Sequence, residues 1–142
     1  MTGFQSSKWR KFHGFRQSAG RGVRRQPGQM NGWEKRYAAR LDQELRQGLI
    51  QWYAFDAIKL RLADTCFYTP DFIVMTANAD MEFHEVKGGY FTDDAKVKLK
   101  VASALFPFRF KLCVLKNVSL PWEITVLGQD DEVSRPDASG LF

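Results

Sequence analysis

The sequence predicts one α/β (α+β) domain in which helices flank a mixed central sheet. Apolar residues recur at helical spacing in residues 31–48 and 92–107, and three strand-like stretches lie between these helices. A strand, helix, strand passage then completes the order αβββαβ, and its right-handed crossover makes the last strand parallel to the third. A length of 142 residues with 44% hydrophobic content is enough for one hydrophobic core.

The first helix is predicted over residues 31–48. Asn31 or Gly32 stands where an N-cap belongs, and Gly48 stands where the chain leaves the helix. Glu34 falls in the middle of the apolar stripe of this helix, where a carboxylate requires a partner or a cation. The stripe comprises Ala38, Leu41 and Leu45, with Tyr37 on its flank.

Three strands are predicted next, over residues 53–62, 66–75 and 81–87, joined by short turns into a meander. Pro70 lies inside the second of these stretches. Because proline has no N–H to donate to a sheet, we expect the second strand to be irregular or to lie at an edge there.

The second helix and the last strands follow the sequence GGYF. Thr92 is the predicted N-cap, and the helix runs to Pro107. Residues 108–116 form the predicted last core strand, and residues 122–127 a further short strand. The apolar face of the helix comprises Ala95, Leu99, Ala102 and Phe106.

The net charge of +5 is unevenly distributed. Residues 1–30 form a basic arm without acidic residues, residues 31–128 the domain, and residues 129–142 an acidic tail. Such an arm binds phosphates through counterion release, and a disordered solubilising tail is the alternative. The basic residues of the arm are Lys8, Arg10, Lys11, Arg16, Arg21, Arg24 and Arg25.

The remaining composition predicts a cytoplasmic protein without a membrane partner. Cys66 and Cys113 lie in apolar stretches, 47 positions apart, which favours reduced core cysteines over a disulfide or a zinc site. There is no apolar signal segment, and no apolar run approaches the roughly 20 residues that cross a bilayer.

Charged residues occupy positions where strands usually bury apolar ones. Glu85 and Lys87 are two apart and share a face, and an antiparallel neighbour brings Asp71 beside them. We expect the first helix to cover that face and to add Glu34. Carboxylate oxygens suit Mg²⁺, which activates water and stabilises phosphate charge, and a nearby lysine adds to that stabilisation. A buried Asp71–Lys87 ion pair with Glu85 at an exposed edge is the alternative.

Two motifs resemble those of the PD-(D/E)XK nuclease superfamily. They are TPDF at residues 69–72 and EVKGG at residues 85–89, with thirteen residues between Asp71 and Glu85. Residues 31–116 are most similar to small phage proteins related to Holliday junction resolvases. The resemblance implies a restriction-endonuclease-like fold and a Mg²⁺-dependent DNA endonuclease, with Mn²⁺ able to substitute.

For its substrate, the resemblance implies branched or recombination-intermediate DNA, cut to leave a 5′-phosphate. It also implies a homodimer and, for a phage-encoded protein, the host cytoplasm. Lys87 would be the catalytic lysine, and Lys98 a further basic residue that contacts DNA from the following helix. The implied catalytic and metal-binding residues are Glu34, Asp71 and Glu85, with the carbonyl of Val86 as a further metal ligand.

Two other functions stay open from the sequence. The first is a non-catalytic nucleic-acid-binding accessory protein with the same fold, and the second is a protein-binding module that uses the acidic tail and the tryptophans. His84 points away from Glu85 and is expected to pack or to lie at the surface. Tyr90 and Phe91 follow the double glycine, where a DNA-contacting role is an even alternative to packing.

Overall fold

The structure is a computed structural model that describes residues 28–128. The basic arm up to residue 27 and the acidic tail from residue 129 lie outside the described residues. The elements are α1 (Gly32–Arg46), β1 (Ile50–Phe55), β2 (Leu60–Ala63), β3 (Cys66–Tyr68), β4 (Phe72–Thr76), β5 (Met81–Lys87), α2 (Asp93–Leu105), β6 (Arg109–Val114) and β7 (Glu123–Leu127).

Five strands form one mixed sheet in the order β1-β4-β5-β6-β7, and β2 pairs with β3 in a separate hairpin. The β1–β4, β4–β5 and β6–β7 pairs are antiparallel, whereas β5 and β6 are parallel across α2. The predicted mixed sheet flanked by helices is confirmed. The αβββαβ core consists of α1, β1, β4, β5, α2 and β6, and the parallel last core strand is also confirmed.

The first two predicted strands are each wrong in their bounds, because the chain leaves the sheet between β1 and β4. Asp56 adopts a φ of 48° and its N–H donates to the Asp71 carbonyl at 2.9 Å, which ends β1. Aspartate tolerates this left-handed conformation better than most residues. Pro70 is buried in the break between β3 and β4, as its missing donor predicts. The residues in between form the β2–β3 hairpin.

Helix α1 covers one face of the sheet. Asn31 is its N-cap, and the predicted left-handed exit is confirmed at Gly48, with a φ of 74°. Tyr37 and Leu41 are buried as predicted, but Leu45 is 41% exposed, so the apolar stripe ends one turn early. Their cluster in the sheet comprises Ile50, Phe72, Val74, Val86 and Cys113.

The opposite face is covered by α2 and the hairpin together. Thr92 accepts a hydrogen bond from the Ala95 N–H, which confirms the predicted N-cap. The buried residues of α2 are Leu99 and Ala102, from the predicted apolar face. They share a second core cluster with Leu60, Tyr68, Ile73, Phe83 and Phe110. The central strands are therefore enclosed by α1 on one face and by α2 with the β2–β3 hairpin on the other.

The cysteines are free: Cys113 is fully buried, as predicted, while Cys66 is only partly covered. Within residues 28–128, neither helix has the length and apolar character needed to cross a membrane.

Candidate active site

The ends of β4 and β5 bring the motif residues together. Asp71 immediately precedes β4, and the antiparallel register pairs Phe72 with His84. One step further along that register lies Asp71 opposite Glu85. The Val86 N–H donates to Asp71 Oδ2 at 2.8 Å, which fixes the aspartate at the end of β5. The predicted cross-strand meeting of the TPDF and EVKGG motifs is therefore present.

Glu85 and Lys87 share one face of β5, as the alternation predicts. Lys87 Nζ lies 2.7 Å from Glu85 Oε1, and the Glu85 carboxylate is buried while the lysine side chain is 26% exposed. Tyr68, at the end of the hairpin, donates its O–H to Glu85 Oε2 at 2.7 Å. Both carboxylate oxygens therefore accept a hydrogen bond, one from a cation and one from a neutral phenol. Sequence analysis missed Tyr68, because the hairpin that delivers it was interpreted as continuous strand.

The backbone of Val86 is oriented toward Asp71. The Leu115 N–H donates to the Lys87 carbonyl at 2.9 Å, so Lys87 presents its backbone groups to the β6 side. Successive residues of a strand present their N–H and C=O groups to alternate sides. The Val86 carbonyl therefore faces the same side as its N–H, where Asp71 lies. This orientation is the one that a backbone ligand beside Asp71 requires.

The negative charges of the Asp71 and Glu85 carboxylates repel each other. Burial, and next the negative charge of Glu85, raise the pKa of Asp71 to about 7, against the lowering effects of the Val86 N–H and Lys87. Burial would lower the pKa of Lys87, but the charges of Glu85 and Asp71 raise it instead. A carboxyl group whose pKa is raised by burial and by a neighbouring carboxylate is stabilised in its ionised form by a bound cation.

Glu34 approaches from the other side of the sheet, which corrects one expectation. It is buried as predicted, at 1% exposure, but α1 packs on the Val86 face and not on the face of Glu85 and Lys87. Its Oε2 accepts the Asn31 N–H at 2.8 Å, and its own N–H donates to Asn31 Oδ1 at 2.9 Å, forming a capping box. A smaller contribution to the raised Asp71 pKa comes from Glu34, whose charge therefore reaches the site.

Trp33 and Gly88 bring α1 close to the end of β5. A Cβ at Gly88 would lie 2.1 Å from the indole Nε1 of Trp33, so only glycine permits this contact. Trp33 neighbours Glu34, and Gly88 follows Lys87 directly. The contact therefore holds the first turn of α1, which carries Glu34, against the end of β5 beside Lys87.

The predicted DNA-contacting residues are only partly described. Lys98 Nζ lies 3.7 Å from Asp94 Oδ2, within α2, and its DNA contact stays a prediction. Lys96 also lies beside this site, because the centroid of the Phe91 ring is 5.6 Å from Lys87 Nζ and 5.9 Å from Lys96 Nζ. The arm residues Lys8, Arg10, Lys11, Arg16, Arg21, Arg24 and Arg25 lie outside the described residues.

His84 faces away from Glu85, as predicted, and belongs to a buried network. Its Nε2 lies 2.9 Å from Glu82 Oε2 and, because a carboxylate only accepts, this nitrogen donates. Its Nδ1 then accepts the Tyr37 O–H at 2.8 Å. Glu82 also pairs with Arg109 at 2.9 Å and Lys111 at 2.8 Å. Burial alone would raise the pKa of Glu82, but the His84 hydrogen bond, and next Lys111 and Arg109, lower it to about 2.

The donor set fits a hydrated Mg²⁺ better than an all-protein cage. In the described part of the chain, three or more His, Cys, Asp or Glu side chains nowhere converge to hold a metal ion. Glu34 therefore does not complete a three-carboxylate cluster with Asp71 and Glu85. Two carboxylates and a backbone carbonyl match Mg²⁺, which retains several waters and completes its shell with substrate phosphate.

Comparisons of the chain with protein-family models, curated proteins and solved structures found no match.

Proposed function

We propose that the protein is a Mg²⁺-dependent DNA endonuclease of the PD-(D/E)XK type that hydrolyses phosphodiester bonds in branched or recombination-intermediate DNA. The observation that carries this proposal is the arrangement at the ends of β4 and β5. Asp71 accepts the Val86 N–H there, and Lys87 Nζ lies 2.7 Å from the buried Glu85. A homodimer would supply the two sites that paired nicks require.

The carboxylates are assigned the task of holding the cation. Asp71 uses Oδ2 for the Val86 N–H, so its other oxygen is the one to bind Mg²⁺ or Mn²⁺ together with Glu85 and the Val86 carbonyl. When bound, the ion supplies Lewis-acid stabilisation and lowers the pKa of water. Glu34 adds negative charge behind this pair, which strengthens the attraction for a divalent ion.

Lys87 is assigned to electrostatic stabilisation and not to general-base catalysis. The charges of Glu85 and Asp71 raise its pKa, so it keeps its proton at neutral pH. A protonated amine cannot accept a proton from water, but it can donate hydrogen bonds to a phosphate oxygen on which charge develops. Its partial exposure leaves the amine accessible from the side on which Phe91 lies.

A substrate panel tests this function. The full chain is incubated with linear, nicked, forked and four-way DNA in Mg²⁺, in Mn²⁺ and in EDTA, and the products are resolved on denaturing gels. We expect cleavage of the branched substrates with either metal, with 5′-phosphate ends, and no cleavage in EDTA. Cleavage in EDTA, or the absence of cleavage on all four substrates, contradicts the proposal.

A non-catalytic DNA-binding accessory protein is the second candidate, and one observation favours it. Glu85 already accepts hydrogen bonds on both oxygens, from Lys87 and Tyr68, so its carboxylate has partners without a bound cation. A buried ion pair of this kind can be purely structural. Retained DNA binding without cleavage in either metal would identify this function, and mobility shifts on the same substrates measure it.

A further inference from the structure

The β2–β3 hairpin reaches into the candidate site from outside the main sheet. It is inserted between β1 and β4, and β3 ends at Tyr68, three residues before Asp71. Leu60, its cross-strand partner, and Phe110, whose ring centroid lies 6.4 Å away, belong with Tyr68 to the same buried cluster. Packing therefore holds the Tyr68 side chain in place independently of its contact with Glu85.

The hydroxyl of Tyr68 is the second anchor of the Glu85 carboxylate. Lys87 contacts Oε1 at 2.7 Å, and Tyr68 donates to Oε2 at 2.7 Å. A single contact leaves a carboxylate free to rotate about its last bond, whereas contacts on both oxygens fix its plane. Lys87 is a long, partly exposed side chain, while Tyr68 is 7% exposed. The rigid member of this pair is thus the tyrosine.

The phenol is suited to a permanent donor role. Burial, and next the charge of Glu85, raise the pKa of Tyr68 above its ordinary value, so the group stays protonated in the range where the protein is folded. A neutral donor orients the carboxylate without neutralising it. A second lysine at this position would instead place another positive charge beside the carboxylate and oppose the binding of a cation.

We infer that Tyr68 is a positioning residue that, through Glu85, sets the affinity of the site for a hard divalent cation. This inference rests on the proposed metal-dependent function. Hydrogen bonds that orient a ligating carboxylate are worth roughly 10- to 100-fold in metal affinity. Tyr68→Phe keeps the ring and its packing on Phe110 but removes the donor, and we expect a loss of that size in affinity for Mn²⁺.

The test measures Mn²⁺ binding by electron paramagnetic resonance on the full chain, without DNA. Asp71→Asn defines the binding that belongs to this site. Tyr53→Phe is the matched control, because Tyr53 donates to Asp42 Oδ1 at an exposed position. Thermal unfolding of both phenylalanine variants reports whether each is folded. We expect weaker binding in Tyr68→Phe and unchanged binding in Tyr53→Phe.

A double-mutant cycle separates positioning from general support of the fold. If Tyr68 acts through Glu85, adding Tyr68→Phe to Glu85→Gln lowers the remaining Mn²⁺ affinity by less than about twofold. A full additional loss in that background, or wild-type affinity in the single Tyr68→Phe variant, overturns the inference. Absence of Mn²⁺ binding by the wild type overturns the inference and the metal-dependent function together. The expected binding pattern without any DNA cleavage supports the inference and rejects the nuclease function alone.

Discussion

At the scale of single residues, the site carries more negative charge than its surroundings neutralise. Asp71 and Glu85 face each other across two strands, and one ammonium group, on Lys87, contacts Glu85 directly. Burial and the charge of Glu85 raise the pKa of Asp71 to about 7, so its proton is lost in the neutral range. This residue therefore links cation binding, pH and stability.

The pH dependence of stability should reveal Asp71. Its pKa is raised in the folded state, so between pH 4 and pH 7 the folded chain binds more protons than the unfolded chain, and stability falls as pH rises. Asp71→Asn removes this effect. We expect the variant to be more stable than the wild type at pH 8 by about 1–3 kcal/mol without divalent ions, with the difference shrinking toward pH 5.

Urea denaturation across this pH range measures the difference, and Asp64→Asn, at an exposed hairpin position, is the control. A variant that is less stable than the wild type at pH 8 would contradict the account.

At the scale of secondary-structure elements, the sequence predicted helices better than strand breaks. Both N-caps, Asn31 and Thr92, can be recognised directly from the sequence, because their side chains are types that accept a hydrogen bond from the first turn. The point at Asp56 where the chain leaves the sheet cannot be recognised in this way. The alternation of apolar residues continues past it, and the turn depends on a hydrogen bond to the distant Asp71 carbonyl. Tyr68 was missed for the same reason. Tyr68 meets Glu85 only because the β2–β3 hairpin folds back over the sheet, and the sequence does not indicate that hairpin.

The contact between α1 and the end of β5 gives a second prediction. Gly88→Ala places a methyl group 2.1 Å from Trp33 Nε1, so the indole must move and α1 loses its close approach. We expect a loss of roughly 1–3 kcal/mol in the free energy of unfolding. Gly32→Ala is the matched control, because a Cβ there meets nothing within 4 Å. Equal stability of the two variants by chemical denaturation would count against the contact.

The buried network of β5 and β6 gives a third prediction. Glu82 has a folded pKa of about 2, below its ordinary 4.5, so its contribution is present above about pH 4.5 and is lost as the pH falls toward 2. Glu82→Gln removes the carboxylate that pairs with Arg109 and Lys111, and because both cations are partly exposed it should cost about 1–3 kcal/mol at pH 7.

Denaturant unfolding at pH 7 and pH 3 measures this cost for Glu82→Gln, with the exposed Glu123→Gln as control. A cost that is the same at both pH values would contradict the ionic role of Glu82.

At the scale of the whole molecule, the order of elements followed from the sequence, but the assignment of faces did not. Residue alternation within β5 correctly separated His84 from Glu85 and Lys87. The face covered by α1 depends on which side of the sheet its apolar stripe meets, and helical periodicity alone does not contain that choice. Glu34 was therefore predicted to be buried, correctly, and placed over the wrong face. The basic arm adds a separate component, with seven Lys and Arg before residue 26.

Removal of the arm tests its part in DNA binding. Deletion of residues 1–25 takes away all seven basic side chains, so we expect weaker binding at every DNA sequence. Each lost phosphate contact should also reduce the slope of log affinity against log salt by about 0.9. Fluorescence anisotropy between 50 and 200 mM salt, roughly the range in which such slopes are measured, provides the comparison. An unchanged slope would return the arm to the role of a solubilising tail.

The most direct test of the central claim is single-turnover cleavage of four-way DNA by the wild type, Asp71→Asn and Lys87→Met, with the exposed Lys100→Met as control. We predict Mg²⁺-dependent cleavage by the wild type and the control, and a loss of roughly 10²–10³-fold or more in rate for the two site variants. Cleavage by Asp71→Asn or Lys87→Met at the wild-type rate would contradict the assignment of this site.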